Sequence, residues 1–268
     1  MTTAPNPELA IERPAIEFDH VSFRLNGRPL LEDLVLSVKQ GETVVLLGRS
    51  GSGKTTTLKL INRLLSPTTG NVRVNGRSTA EWDPIRLRRG VGYVIQDGGL
   101  FPHFTVERNI ALVPRIENWP PQRVEARVRE LLALVGLKPD LASRYPSQLS
   151  GGQRQRVGVA RALAADPPIL LLDEAFGALD PITRSEMQKE FRALQQRMRK
   201  AVIFVTHDLR EALLLADRIA LMEEGHLVVD LPVAEFTRSK DPLVRAYIEA
   251  FSGLPDTNSH GGIARISE

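Results

Sequence analysis

Thr43-Val44-Val45-Leu46-Leu47-Gly48-Arg49-Ser50-Gly51-Ser52-Gly53-Lys54-Thr55 is an apolar run that breaks into a glycine-rich turn and then opens a helix-forming stretch. Gly48 to Thr55 satisfies the G-x-x-x-x-G-K-[ST] phosphate-loop pattern in the strand-to-helix context that gives the pattern its meaning. The glycines permit positive φ, so the backbone can curl close to phosphate while successive N–H groups and the following helix N-terminus point at one anion. Lys54 supplies a point charge toward β- and γ-phosphates, and the Thr55 hydroxyl is a ligand for Mg²⁺, which offsets charge developing in phosphoryl transfer. Nucleoside triphosphate binding is therefore expected, and the rest of the chain must say what is done with it.

With 268 residues and 42% hydrophobic content, the chain can bury a sizeable core. Its most apolar runs, Ile169 to Leu172 and Leu213 to Ala216, are soon ended by charge and fall short of a membrane helix. Met1 to Pro14 has neither a basic lead nor an apolar core, so it does not read as a secretory signal and a cytoplasmic location is expected. The absence of cysteine excludes disulfides, thiolate metal sites and thiol nucleophiles. A net charge of +3 from nearly balanced acids and bases, without a long single-sign block, gives no sign of a nucleic-acid arm.

Alternation at Ala15 to Asp19, Val21 to Leu25 and Leu30 to Lys39 predicts a small antiparallel sheet turning at Asn26-Gly27. Further strands are expected at Val72 to Asn75, Val91 to Ile95, Ile169 to Leu172 and Val202 to Val205, with helical patterns between several of them, which implies an α/β layered core. Val124, Val128, Leu131, Leu132 and Val135 repeat at helical spacing, so Leu100 to Gly158 reads as a mostly helical insertion. The arginines between Arg115 and Arg129 read as a solvated helix face rather than a phosphate patch. Residues 16–251 are expected to form one domain, with 1–14 an extension and 254–268 a flexible tail poor in apolar residues.

Leu149-Ser150-Gly151-Gly152-Gln153 opens a second helix about twenty residues before the run Ile169-Leu170-Leu171-Leu172-Asp173-Glu174. Alternate side-chain directions on that strand give its two terminal carboxylates different environments and roles: Asp173 can orient magnesium, and Glu174 can accept a proton from, or orient, an attacking water. Gln96 follows the strand ending at Ile95, Gly177-Ala178-Leu179-Asp180 follows the carboxylates, and His207 ends the strand Val202 to Thr206. The ordered set resembles the ATP-binding cassette (ABC) family over Ile16 to about Phe251. The resemblance implies a P-loop NTPase core of RecA-like α/β fold, an N-terminal antiparallel subdomain and an inserted helical subdomain at about 100–158. It further implies ATP and Mg²⁺ as cofactors and a head-to-tail dimer with a second copy or a related subunit. In that arrangement Gly48, Arg49, Ser50, Gly51, Ser52, Gly53, Lys54, Thr55 and Thr56 hold the phosphates, and Ser150, Gly151, Gly152 and Gln153 close from the other subunit. Gln96 approaches magnesium and the water, His207 the γ-phosphate, and Asp180 links the two sites. Thr55, Gln96 and Asp173 are the implied metal positions, and Gly99 to Thr105 part of a groove for a permease helix. For Phe101 and Phe104 within that segment, apolar burial is the favoured reading.

Two departures stand out. The position aligned with an adenine-stacking aromatic is Leu25, where loss of a contact worth roughly 1–3 kcal/mol weakens binding, with Phe23 the nearby candidate to compensate. Ala175 stands where many importer ATPases have proline. Leu58 to Leu64, Gly92 to Gln96, Gly99 to His103, Asn109 to Pro114 and Phe176 to Arg184 further resemble quaternary-amine (osmoprotectant) importers. That resemblance implies a subunit peripheral to the inner face of the membrane, driving a separate permease supplied by a substrate-binding protein, and no nucleic-acid partner. Relatives with paired regulatory domains sense ionic strength, and the short stretch after Phe251 gives no expectation of such gating. An importer of another small solute such as an amino acid, a soluble non-transport ABC ATPase and a regulator without turnover remain as alternatives.

Overall fold

The structure, a computed structural model, describes residues 13–95, 99–177 and 179–252. β1 (Ile16–Leu25) and β2 (Arg28–Val38) form the expected hairpin. Asn26 and Gly27 close it at φ of 51° and 81°, the left-handed backbone that a two-residue turn needs to match strand twist. β3 (Thr43–Leu47) leads through the phosphate loop into α1 (Lys54–Ile61). β4 (Thr69–Val74) and the short β5 (Arg77–Ser78) complete a four-stranded antiparallel sheet in the order β2-β1-β4-β5. After α2 (Pro84–Arg89) and β6 (Val91–Val94) come α3 (Val106–Ile110), α4 (Leu112–Ile116), α5 (Pro121–Leu134), two single 3₁₀ turns and α6 (Gly151–Ala162). β7 (Ile169–Asp173), α7 (Pro181–Met198), β8 (Ala201–Thr206), α8 (Leu209–Leu215), β9 (Arg218–Glu223), β10 (His226–Pro232), α9 (Val233–Phe236) and α10 (Pro242–Ser252) complete the order.

The second sheet runs β10-β9-β3-β8-β7-β6, parallel except for the edge strand β10. Period-two alternation divides its central strands between two cores. Val44, Leu46, Ile169, Leu171, Ile203 and Val205 face α1 and the antiparallel sheet. Val45, Leu47, Leu170, Leu172, Val202 and Phe204 face the layer that includes α5, α6, α7 and α8. Strands buried on both sides need apolar residues at every position, which is why β3, β7 and β8 read in the sequence as unbroken runs.

The middle region is helical as expected, but α6 runs unbroken through Gly158 to Ala162, so the expected limit at Gly158 falls inside a helix. The solvated-face reading holds for Arg115 on α4, paired with Glu107 at 3.4 Å, and on α5 for Arg129, paired with Glu125 at 2.8 Å, and Arg123, 3.7 Å over the Trp119 ring. It does not hold for Arg127, whose largely buried guanidinium donates to Leu163 O at 2.9 Å and Ala164 O at 3.2 Å. The hairpin β9–β10, turning at Glu224 and Gly225, was not expected. The reading of 254–268 as a tail and most of 1–14 lie outside the described residues.

Phe176, Phe191 and Phe204 form an aromatic cluster under the strand ends, with ring centroids 5.5 to 6.2 Å apart. Phe204 is wholly buried, so Phe204→Ala is expected to cost about 3–5 kcal/mol, seen as a lower urea midpoint with an unchanged slope.

Candidate active site

Three elements meet at the phosphate loop. Gly53 precedes α1 at φ 101°, and a Cβ there would lie 2.9 Å from Leu30 O and 2.6 Å from Leu31 Cδ2; at Gly48 a Cβ would lie 2.3 Å from Met222 O. The loop is thus wedged between β2 and β9, where only glycine fits. Ser52 and Lys54 are buried, whereas Arg49, Ser50 and Gly51 are exposed and Thr55 and Thr56 half-buried. Lys54 Nζ donates to Gly48 O and Arg49 O, both at 2.7 Å. Burial lowers the Lys54 pKa, and Glu174, Asp173 and Glu223 act against that shift.

Thr55 Oγ1 donates to Asp173 Oδ1 at 3.0 Å, and the Tyr93 hydroxyl donates to Asp173 Oδ2 at 3.2 Å. Burial pushes the Asp173 carboxyl up, and these two hydrogen bonds pull the other way. A threonine hydroxyl beside a carboxylate is a pair of hard oxygens, suited to Mg²⁺ that keeps waters and phosphate oxygens as its other ligands. The residues therefore fit the implied metal; Gln96, expected to approach it, lies outside the described residues. Tyr93 was missed by sequence reasoning. Its signal was position, on the strand paired in parallel with β7.

Glu174 breaks from β7 at φ 45°, a left-handed backbone uncommon for a non-glycine residue and concentrated at functional sites. Its N–H donates to Val205 O at 3.0 Å, fixing it against the end of β8. Glu174 Oε2 lies 3.5 Å from His207 Nδ1. Gly48, Arg49, Ser50, Glu174 and His207 line one cavity of about 590 Å³, within the roughly 300–1,000 Å³ of small-molecule sites. Its opposite wall is α10, with Leu243, Tyr247 and Phe251, which the sequence reading did not assign to the site.

The other expected positions stand apart. Ser150, Gly151, Gly152 and Gln153 do not line this cavity. Ser150 caps α6: its Oγ accepts from Gln153 N at 3.2 Å, and Gln153 Oε1 accepts from Ser150 N at 3.0 Å, a reciprocal box that leaves the helix end rigid. Asp180 caps α7, accepting from Thr183 N at 3.1 Å, and the Thr183 hydroxyl and N–H hold its carboxyl below the usual range. Leu25 lies at the exposed end of β1. Phe23, offered as the compensating aromatic, is buried in the core between the sheets and presents no ring to a ligand. Phe101 corrects the core reading: it is 41% exposed, Phe104 is half-buried, and both pack on His103. Buried Asn109 holds that loop on the surface, its amide donating to the carbonyls of Phe101, Phe104 and Thr105 at 3.0 to 3.2 Å.

A family model described as ABC transporter matches residues 31–177. The glycine betaine/carnitine/choline transport ATP-binding protein OpuCA of Bacillus subtilis (strain 168) is 51% identical over 202 residues, which are 75% of this chain and 53% of that protein. The glycine betaine uptake system ATP-binding protein YehX of Escherichia coli (strain K12) is 48% identical over 233 residues, 87% of this chain and 76% of that protein. Among solved structures, the ATP-binding cassette MJ0796, dimeric in a post-hydrolysis state with ADP and Pi, superposes with TM-score 0.73 at 32% identity, covering 81% of this chain and 98% of that one. The chain spans about half the length of several curated relatives it matches. The fold is that of an ABC cassette with a P-loop NTPase core, and from the match over more than half its length the chain belongs to the ABC transporter family.

Proposed function

We propose that the chain is the ATP-hydrolysing subunit of an importer for quaternary-amine osmoprotectants, working as a head-to-tail pair with a second copy or a related subunit. The observation that carries the hydrolytic reading is the juxtaposition of Glu174, His207 and the phosphate loop around one cavity, with the Thr55–Asp173 oxygen pair beside it. Lys54 holds the loop closed through Gly48 O and Arg49 O and presents its charge to the β- and γ-phosphates. Thr55 and Asp173 would hold Mg²⁺, which when bound offsets charge on the phosphate oxygens. Glu174 accepts the proton of the attacking water, and His207 contacts the γ-phosphate and is close enough to orient the Glu174 carboxylate.

Ser150 to Gln153 complete the site from across the dimer, where the rigid start of α6 receives the γ-phosphate of the other copy. Asp180 and its loop join the two sites. Closure with ATP and reopening after hydrolysis is differential binding of two states. The exposed Phe101 and half-buried Phe104 support reading Gly99 to Thr105 as part of a permease groove. No helix among the described residues is long and apolar enough to cross a membrane, in keeping with a peripheral subunit at the inner face of the membrane. The names of the Bacillus subtilis and Escherichia coli relatives support glycine betaine and related quaternary amines as cargo.

Affinity purification of tagged chain from detergent-solubilised membranes tests this reading. A multi-spanning permease is expected to copurify, and glycine betaine with its binding protein to raise ATPase activity; ribosomal or nucleic-acid companions without a permease would contradict it. Glu174→Gln is expected to retain ATP binding and lower hydrolysis by about 10²–10⁴-fold, with a closed dimer accumulating on size exclusion. Lys54→Ala removes a charged donor and is expected to weaken ATP binding by roughly 10–100-fold in a fluorescent-nucleotide titration. Tyr93→Phe removes one of the two hydrogen bonds that stabilise the Asp173 anion, and is expected to raise the Mg²⁺ concentration for half-maximal turnover by about tenfold.

A further inference from the structure

One buried carboxylate has no task in this mechanism. Glu211, in the first turn of α8, is 5% exposed and accepts from Gln188 Nε2 at 3.1 Å. A buried charge is costly unless polar partners surround it; burial raises the Glu211 pKa, and Thr206, Gln188 and Arg184 act against that shift. Gln188 and Arg184 stand one turn apart on the same face of α7. Arg184 reaches back along the chain, donating through one guanidinium nitrogen to Gly177 O and Leu179 O, both at 3.0 Å. Its Nε is buried with no hydrogen-bond partner among the described residues.

A narrow cavity of about 40 Å³ joins these groups to the site, lined by Glu174, Arg184, Thr206, His207, Asp208 and Glu211. Asp208 caps α8, its carboxylate accepting from Arg210 N at 2.8 Å, while Thr206 Oγ1 accepts from Asp208 N at 3.0 Å. One face of α7 therefore grips the loop after Glu174 through Arg184 and the start of α8, next to His207, through Gln188 and Glu211. We propose that Arg184 and Glu211 are positioning residues for hydrolysis, coupling the loop that carries Gly177 and Leu179 to the loop that carries His207 so that Glu174 and His207 keep one geometry. The proposal rests on the hydrolytic reading above. Neither residue touches the reacting atoms; a purely structural helix clamp would alter stability and leave kcat in place.

The test uses the full chain with Glu211→Gln, which keeps volume and a carbonyl acceptor, Arg184→Gln, and the double variant. Each single variant is expected to lower kcat about tenfold with KM for ATP within about twofold, and the double variant to fall no further than the stronger single one, as coupled groups do. Amide hydrogen exchange without nucleotide is expected to quicken in both loops when Glu211 alone is changed. An unchanged kcat, losses that multiply in the double variant, or faster exchange confined to α8 would overturn the proposal. Exchange needs no turnover. If the wild-type chain hydrolyses no ATP, the hydrolytic reading fails by itself, and exchange decides the coupling: change in both loops upholds it, change in one overturns it.

Discussion

A lysine ammonium buried where a strand turns into a helix is the constraint on which the rest depends. Lys54 is 4% exposed, and a cation out of water is tolerated only among well-placed acceptors. The carbonyls of Gly48 and Arg49 supply them, and they can do so only because the loop curls tightly enough to bring both to one nitrogen. That curl presses Gly48 against β9 and Gly53 against β2, so the antiparallel hairpin and the parallel sheet must both be in place around the loop. The carboxylates of Asp173 and Glu174 arrive from the same sheet, at the end of β7, which β8 separates from β3. A buried positive centre with acidic neighbours at a strand-to-helix turn suits a polyanion, and on the proposed reading one that carries its own divalent cation.

On the proposed reading, the chain by itself assembles half of such a receptor. The phosphate loop, Glu174 and His207 share a cavity, while the helix end at Ser150, proposed to accept the second anion contact, is preorganised by its own capping box and does not line it. In the proposed arrangement, two sites on one chain that do not converge are brought together by a second copy placed head to tail. The dimeric state of the solved cassette MJ0796 is in keeping with that arrangement.

Much of this was legible because the sequence states it locally. β3, β7 and β8 are buried on both faces and so appear as uninterrupted apolar runs, and the phosphate loop and Ser150 box are contiguous patterns. The hairpin β9–β10 was not legible: Ile219 to Met222 is a short apolar run that looks alike in helix or strand, and its turn, Glu224-Gly225, carries a weaker signal than Asn26-Gly27. Contacts between distant segments also escaped. Tyr93 meets Asp173 only because β6 and β7 pair in parallel, and α10 joins the cavity wall through tertiary packing. Phe101 misled because apolar residues are buried by default, and nothing local reveals that Asn109 pins its loop to the surface. Phe23 failed in the opposite sense, being a core residue of the hairpin.

The most direct test of the half-site is turnover per chain as a function of chain concentration, measured on the purified protein at saturating ATP and Mg²⁺. If two copies build each site, specific activity rises with concentration and levels off once the dimer is populated. A specific activity that stays constant down to concentrations where the protein is monomeric would mean that one chain carries a complete site, and would contradict the composite arrangement.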